Sequence, residues 1–415
     1  MRDPDHRHML VSMLRLPILT AEDRTPDLEP TARPVDEFWR PVVAVWELTL
    51  RCDLACNHCG SRAGHARSRE LSTEECLNVA DQLADFGVKE VSLIGGEAYL
   101  HPGWLEVVGR LARRGIEVAM VSGGRGIRQE LVKAAKDAGL SSLSISVDGV
   151  GKTHDDLRNL DGLYAQTLGV FSTLREQQMP FSVNTQINRK NLHELHELVR
   201  LVVEVGAHSW QAGLTVPMGR AADASDLVLQ PVDLLALFPR LAELKRVLDA
   251  GGVSFYPGNN LGYFGPFEEV LRGDMPRGHM YACGAGRTSL GIESDGTIKG
   301  CPSLPTSAFA GGNILEHGLL NIWERSSRLR FTRELTVADL WGYCRTCYYA
   351  EVCKGGCNWT SHVLLGKIGN NPLCHHRALE MARQGKKERL EKTHRAPGLP
   401  FDFGRFEIVE DAFTS

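Results

Sequence analysis

The sequence predicts an α/β fold, a partial (β/α)6 barrel of the TIM type followed by a small cysteine-rich domain. Two observations lead to this prediction. Between about residues 42 and 213, six apolar strand segments alternate with amphipathic helical segments, and after about residue 280 glycine and cysteine become frequent while long helical patterns stop. Because strands that alternate with helices form parallel sheets, right-handed crossovers would curl this sheet toward a barrel.

The alternation can be followed from one segment to the next. Residues 42–50 have the apolar character of a buried strand, and Ser72 with Glu75 forms a capping box ahead of a helix that runs to about residue 86. The predicted strands and helices that follow are strands 88–94, 116–121, 141–147, 181–187, 208–213 and 253–257, and helices 102–114, 126–138, 162–177, 191–205 and 231–249.

These patterns divide the chain into four predicted parts. They are an amino-terminal extension at 1–40, the barrel at 41–260, a small domain at 261–388 whose core is metal rather than hydrocarbon, and a tail at 389–415 that docks on the body or is loose.

Charge and hydropathy exclude several classes of partner. The 415 residues carry a formal net charge of −4, so no basic excess favours nucleic acid or an anionic membrane surface. The sequence contains no apolar run of membrane-spanning length and no secretion signal, and we therefore predict a cytoplasmic protein.

Ten of the eleven cysteines fall into two clustered sets, which favours metal or cluster binding over a disulfide framework. Cys52, Cys56 and Cys59 have the spacing C-x3-C-x2-C directly after the first predicted strand. Three thiolates are one fewer than a four-iron cluster normally takes, so one iron would stay open to a small molecule. Zinc is the rival interpretation, because C-x2-C pairs also bind that metal. The eleventh cysteine, Cys76, is interpreted as a half-buried helix residue.

The second set of cysteines lies in the last third of the chain and comprises Cys283, Cys301, Cys344, Cys347, Cys353, Cys357 and Cys374. With the neighbouring segments Gly312-Asn313-Ile314 and Ile322-Trp323, this set is similar to the seven-cysteine SPASM pattern. Over residues 42–380 the chain therefore resembles the radical SAM superfamily with a carboxy-terminal SPASM extension. The resemblance implies that the first three cysteines hold a [4Fe–4S] cluster completed by S-adenosylmethionine (SAM). It also implies reductive cleavage of SAM to a 5′-deoxyadenosyl radical that abstracts a substrate hydrogen.

The resemblance implies two auxiliary [4Fe–4S] clusters, and so three clusters in all. One would have a complete cage formed by Cys344, Cys347, Cys353 and Cys374. The other would have three ligands, Cys283, Cys301 and Cys357, with an open iron or a non-cysteine ligand such as His279. Filled clusters would accept an electron from a substrate radical or pass one from the barrel. An electron donor such as flavodoxin or ferredoxin would supply the reducing electron.

Contacts to SAM are also implied by the resemblance. Gly95-Gly96-Glu97 is similar to the family's GGE motif, in which glycines allow close backbone approach and the Glu accepts from the SAM ammonium. Arg158, in an H-D-x-x-R element, would pair with the SAM carboxylate, an ordinary surface ion pair being the alternative. The other candidate cofactor contacts at the barrel mouth are His58, Ser122, Ser144 and Ser146. Asn184, Gln186 and the Pro217-Met218-Gly219-Arg220 stretch are expected near the same pocket.

Two enzyme hypotheses stay open. The first is a maturase that cross-links or oxidises a ribosomally synthesised peptide. Because only about 40 residues precede the first strand, either leader binding would need a separate partner protein or the substrate is short. The second is radical oxidation or epimerisation of a small biosynthetic molecule.

Other possibilities are disfavoured. Sulfatase-maturating relatives usually carry Asp directly after the second SPASM cysteine, where this chain has Pro302. A non-enzymatic electron carrier would not need the barrel pocket. The catalytic base is unassigned, and Glu47, Asp148 and Glu293 are guesses.

Overall fold

The computed structural model describes residues 28, 29, 31, 33, 38–273 and 283–413. The strands and helices of its first part alternate as predicted. In chain order they are β1 (Val43–Thr49), α1 (Thr73–Asp85), β2 (Glu90–Gly95), α2 (Trp104–Arg113), β3 (Glu117–Ser122), α3 (Gln129–Ala138), β4 (Ser142–Ser146), α4 (Lys152–Arg158), α5 (Leu163–Glu176), β5 (Phe181–Ile187), α6 (Leu195–Glu204), β6 (Ser209–Leu214), α7 (Leu234–Ala250), β7 (Ser254–Pro257) and α8 (Glu268–Arg272).

The second part consists of short elements. They are β8 (Ser289–Ile292), β9 (Thr297–Lys299), α9 (Thr306–Phe309), β10 (Gly312–Asn313), α10 (Ile314–His317), α11 (Leu319–Arg325), α12 (Ser327–Glu334), α13 (Gly342–Thr346), α14 (Ala350–Cys353), α15 (Asn358–Leu365), α16 (His375–Arg383), β11 (Lys386–His394) and β12 (Arg405–Ala412).

The strands β1 to β7 form a parallel sheet in sequential order, which confirms the predicted partial barrel. The short strand β7 adds a seventh parallel strand to the six of the predicted barrel. On the other side of β1, the strand β8 pairs in parallel with β1, and β9 and β10 continue antiparallel. The barrel and the small domain therefore share one ten-stranded sheet.

Burial on both faces explains why the barrel strands are recognisable in the sequence. Side chains such as Trp46, Leu93 and Met120 have no exposed surface, as expected for parallel strands covered by helices. Cys76 is also fully buried, in α1, with its Sγ 3.9 Å from Nε2 of His101. Within the described residues, none of the helices has the length and apolar character needed to cross a bilayer.

The carboxy-terminal tail differs from the expectation. The strands β11 and β12 form an antiparallel hairpin, and the predicted boundary at residue 388 falls inside β11. Charged residues predominate in β11, so the sequence lacks the apolar run that indicates a buried strand. The predicted amino-terminal extension at 1–40 lies mostly outside the described residues.

Candidate functional site

The loops at the carboxyl ends of the barrel strands surround a cavity of about 190 Å³ that opens to solvent. Parallel barrels place their active sites at this end, because the strand-to-helix loops meet there. The cavity brings together most of the residues predicted for the site. Those that line it are Cys52, Cys56, His58, Cys59, Gly95, Gly96, Glu97, Ser122, Ser146, Arg158, Gln186 and Arg220.

The three amino-terminal cysteines lie on the loop that follows β1. Each thiol has a potential hydrogen-bond partner: the Leu54 N–H is 3.4 Å from Sγ of Cys52, Nη1 of Arg158 is 3.8 Å from Sγ of Cys56, and Oγ of Ser61 is 3.4 Å from Sγ of Cys59. Burial, with the nearby Glu97 carboxylate, raises the pKa of Cys52 to about 12. Because a coordinating metal deprotonates a thiol outright, these buried thiols fit a metal or cluster.

The glycines of Gly95-Gly96-Glu97 bring the end of β2 against the cysteine loop. A Cβ atom on Gly96 would lie 1.9 Å from the Arg51 carbonyl oxygen and 2.7 Å from Cβ of Cys52. The sequence predicted that these glycines serve close approach to a ligand. The structure gives them a further reason, since the loop after β2 and the cysteine loop contact each other at this point.

Substitution of Gly96 by alanine is therefore expected to displace the cysteine loop. We expect overpacking to cost about 1–3 kcal/mol of stability and to lower iron retention by the barrel site. Gly169→Ala is the matched control, because no atom lies within 4 Å of the new methyl group on α5. Thermal unfolding and iron content would check both variants. Normal iron binding by Gly96→Ala would contradict the packing argument.

The carboxylate of Glu97 is fully buried and held in place by two donors. Oε2 accepts from the Ser122 hydroxyl at 2.7 Å, and Oε1 accepts from the Gly123 N–H at 2.6 Å. Burial raises the pKa of Glu97 to about 7, although these hydrogen bonds favour the carboxylate. Each carboxylate oxygen has a second lone-pair site, so Glu97 can still accept from a ligand ammonium.

Asp148, after β4, is the centre of a buried polar network. Its Oδ2 accepts from His58 Nε2 at 2.9 Å and from Arg158, and its Oδ1 accepts from the Gln186 N–H at 2.7 Å. Burial opposes ionisation, but Arg158 and His58 outweigh it and hold the pKa of Asp148 well below its usual range. The alternative interpretation of Arg158, an ordinary surface ion pair, is wrong, because the pair that it forms with Asp148 is buried.

The network also fixes the roles that His58 and Arg158 can play. Because the other ring nitrogen of His58 lies 3.1 Å from the Leu157 carbonyl oxygen, the imidazole is held on both sides. Nε of Arg158 is buried and has no hydrogen-bond partner among the described residues, so a ligand can still satisfy it.

The predicted serines occupy different depths. Ser146 lines the cavity, whereas Ser144 lies deeper and its Oγ accepts from Ser182 Oγ at 2.7 Å. Asn184 does not line the cavity, and its Oδ1 is buried without a partner among the described residues. After β6, Arg220 reaches back to the cysteine loop, where its Nε donates to the Cys56 carbonyl oxygen at 2.7 Å and its Nη1 to that of Ala63 at 2.8 Å.

The sequence reasoning missed Asp53 and Tyr99. The Cys52 Sγ and carboxylate oxygens of Asp53 and Glu97 all lie within 4.8 Å of one another. The Tyr99 hydroxyl donates to Asp53 at 3.0 Å and accepts from the Gly126 N–H at 3.0 Å. The only available signal was the position of Asp53 directly after the first cysteine and of Tyr99 two residues after Glu97.

A second, smaller cavity, of about 20 Å³, lies in the small domain. Four of the predicted cluster ligands line it together with aromatic side chains: Cys344, Cys347, Cys353 and Cys374, with Tyr263, Phe264, Tyr343, Tyr349 and His376. The structure therefore brings together the four residues predicted to form one complete cage.

The other three cysteines of the small domain also converge. Cys283 and Cys301 pack against the same apolar cluster. Burial raises the pKa of Cys301 to about 11 and of Cys357 to about 12, and the Cys283 thiol adds to both shifts. The proposed fourth ligand His279 lies outside the described residues.

The three residues guessed as a catalytic base are all paired with cations, and none lines the barrel cavity. Glu47 accepts from Arg67 Nε at 2.9 Å, Glu293 contacts Lys299 Nζ at 2.7 Å, and Asp148 binds Arg158. Glu47 and Glu293 join the barrel to the small domain rather than facing the cavity.

Comparison with known proteins agrees with this site. A radical SAM superfamily model matches residues 46–202, and an iron-sulfur cluster-binding domain model, SPASM, matches residues 283–348. The mycofactocin maturase MftC of Mycolicibacterium smegmatis is 30% identical over 80% of this chain and 82% of its own length. The AdoMet-dependent heme synthase of Methanosarcina barkeri is 29% identical over 84% of this chain and 98% of its own length.

A solved structure shares the fold. Streptococcus suis SuiB bound to precursor peptide SuiA superposes with a TM-score of 0.60 at 17% identity, over 77% of this chain and 72% of SuiB. A parallel barrel with three cysteines at its mouth defines this molecule as a radical SAM protein. More specifically, the chain belongs to the radical SAM enzymes that carry a SPASM domain.

Proposed function

We propose that this enzyme uses three [4Fe–4S] clusters and SAM to cross-link or oxidise a ribosomally synthesised peptide. The observation that carries the proposal is the convergence of the ten clustered cysteines into three groups, one of which lines the barrel cavity beside Glu97 and Arg158. A relative named PqqA peptide cyclase, of Rhizobium meliloti, is 26% identical over 83% of this chain and 89% of its own length, and favours a peptide substrate.

Different residues of the cavity would hold the cluster and SAM. Cys52, Cys56 and Cys59 would hold the barrel cluster, and Glu97 would accept from the SAM ammonium. Arg158, through its unpaired Nε, would donate to the SAM carboxylate, while Asp148 keeps the guanidinium oriented. When bound, the cluster and SAM supply the 5′-deoxyadenosyl radical that takes a substrate hydrogen.

The small domain would accept the electron that the substrate radical gives up. Hydrogen abstraction leaves a substrate radical, and forming a closed-shell cross-link or oxidised product requires removal of one further electron and a proton. The two groups of small-domain cysteines would hold the clusters that accept this electron. A flavodoxin or ferredoxin would return the reducing electron to the barrel cluster, and a separate protein would present the leader of the peptide.

A second candidate function is action on a small molecule, as in the AdoMet-dependent heme synthases. A haem precursor carries several carboxylates and would need several cations. Among the described residues that line the barrel cavity, the cations are Arg158 and Arg220, and both already bind groups of the barrel loops. This distribution favours the peptide.

The test is anaerobic reconstitution with iron, sulfide, SAM and a strong reductant. We expect about twelve irons per chain and formation of 5′-deoxyadenosine. Substrate class would then be decided by incubation with candidate precursor peptides and with porphyrin precursors, followed by mass spectrometry. A value near four irons would contradict the two auxiliary clusters, and absence of 5′-deoxyadenosine would contradict the enzyme assignment.

A further inference from the structure

The loop between β11 and β12, residues 395–404, lies against the back of the cysteine loop. Its Asp402 side chain is only 5% exposed and contacts Arg62, which lies three residues after Cys59. Nη2 of Arg62 donates to Oδ1 of Asp402 at 3.1 Å, and Nε donates to the same oxygen at 3.2 Å. The far end of the chain is thus bonded to the segment that carries the amino-terminal cysteines.

The backbone of the same loop joins a third segment. The Gly219 N–H donates to the Asp402 carbonyl oxygen at 2.7 Å, and Nη2 of Arg62 donates to the Gly219 carbonyl oxygen at 2.7 Å. The next residue, Arg220, donates its N–H to the Cys59 carbonyl oxygen at 2.9 Å. Arg62, the segment after β6 and the β11–β12 loop therefore form one closed set of hydrogen bonds around Cys59.

Local conformation shows that this arrangement constrains the chain. Arg62 has a φ of +53°, and Gly219 has a φ of +59° with no room for a side chain, since a Cβ atom would lie 2.5 Å from the Cys59 carbonyl oxygen. A non-glycine residue with positive φ persists when surrounding contacts hold it there. The contacts of Arg62 with Asp402 supply that restraint from outside the barrel.

The β11–β12 loop also reaches the small domain. The ring of Phe401 lies 4.6 Å from Nζ of Lys299, two residues before Cys301, and Phe403 packs with Trp359 beside Met218. Nε1 of Trp359 donates to Sδ of Met218 at 3.4 Å. One loop thus contacts both the barrel segment and the small-domain segment that carry cysteines.

We propose that Asp402 is a positioning residue for the barrel cluster and that the β11–β12 loop clamps the cysteine loop through Arg62. The inference rests on the proposed role of Cys52, Cys56 and Cys59 as cluster ligands. It assigns a function to the carboxy-terminal hairpin, which lies beyond the matched SPASM segment. Asp402 acts at a distance from the reacting atoms, by fixing the backbone on which Cys59 stands.

The test compares two substitutions on the same guanidinium. Asp402→Asn removes the buried carboxylate partner of Arg62. The new amide has one NH2 group, and this group faces a donor in either orientation: the Arg62 guanidinium on one side or the Leu399 N–H of the loop on the other. Asp223→Asn is the matched control, because it removes a carboxylate that also binds Arg62 but is 54% exposed and lies outside the β11–β12 loop. Both variants are made in the full chain and loaded with clusters anaerobically.

The readouts are iron release to a chelator and the EPR signal of the reduced protein with and without SAM. We expect Asp402→Asn to release iron from the SAM-responsive cluster about tenfold faster, the factor for loss of one buried charge-assisted contact. Release from the two auxiliary centres should be unchanged, and Asp223→Asn should match the wild type within about twofold.

Three results would overturn the proposal: unchanged iron release in Asp402→Asn, equal acceleration in Asp223→Asn, or equal acceleration at all three centres, which would indicate general destabilisation.

If Asp402→Asn fails to fold, Phe401→Leu tests the same loop. The expected result is faster iron release from the SAM-responsive cluster, and release at the wild-type rate would contradict the proposal. A wild-type protein without any SAM-responsive cluster would refute the proposed function instead, so the two failures are distinguishable.

Discussion

Replacement of Cys52, Cys56 or Cys59 by alanine is expected to reduce 5′-deoxyadenosine formation to background. Each substitution removes one of three thiols that line the barrel cavity, and a cluster held by two thiolates has no stable place there. Because the small-domain cysteines converge at separate positions, the variants should keep about eight of about twelve irons. Iron analysis and chromatography of SAM cleavage products would measure both effects.

Cys76→Ala is the control for this series. Cys76 is equally a buried cysteine, but it lies in α1 outside both clustered sets and contacts His101. Its replacement should leave iron content and SAM cleavage unchanged and cost stability alone. Unchanged cleavage in Cys56→Ala, or equal loss in Cys76→Ala, would contradict the assignment of the barrel cluster.

Replacement of Asp148 by asparagine is expected to cause a large loss of stability, because Asp148 is the centre of the buried polar network beside the cavity. The buried Arg158 guanidinium would lose its carboxylate partner, and such a loss costs about 3–5 kcal/mol. His58 would lose its acceptor as well, so the loop between Cys56 and Cys59 would be less well held. Chemical denaturation and calorimetric titration with SAM would show lower stability and weaker SAM binding.

The pH dependence has a defined sign. Since the pKa of Asp148 is depressed in the folded state, the ionised carboxylate stabilises the wild type at neutral pH, and this contribution is lost as pH falls below about 4. Asp148→Asn should lack that contribution at every pH. Asp137→Asn, which breaks an exposed pair with Lys133, is the control and should be close to wild type. Equal stability of Asp148→Asn and Asp137→Asn would show that the Asp148 network does not stabilise the folded protein.

The barrel and most of its mouth could be predicted from sequence, because each strand is buried on both faces and is followed by a polar motif. Gly95-Gly96-Glu97 at the end of β2, Ser122 at the end of β3 and Asp148 after β4 all lie at the predicted edge of the sheet. Alternation alone could not rank the depth of Ser144 and Ser146, since both point to the same face of β4. The structure distinguishes the two serines, because Ser144 bonds to Ser182 of the neighbouring strand.

Local sequence patterns do not predict contacts between segments that are far apart in the chain. The spacing of Cys52, Cys56 and Cys59, together with that of the seven cysteines in the last third of the chain, predicted an iron–sulfur protein, because ligand spacing is a local property of the sequence. The pairing of Arg158 with Asp148 and of Arg62 with Asp402 joins residues that are 10 and 340 positions apart, and neither pair has a periodic signal. The charged strands of the hairpin are held in position because they pair with each other and contact the barrel. Such long-range contacts exist only once the chain has folded and brought these charges together out of water.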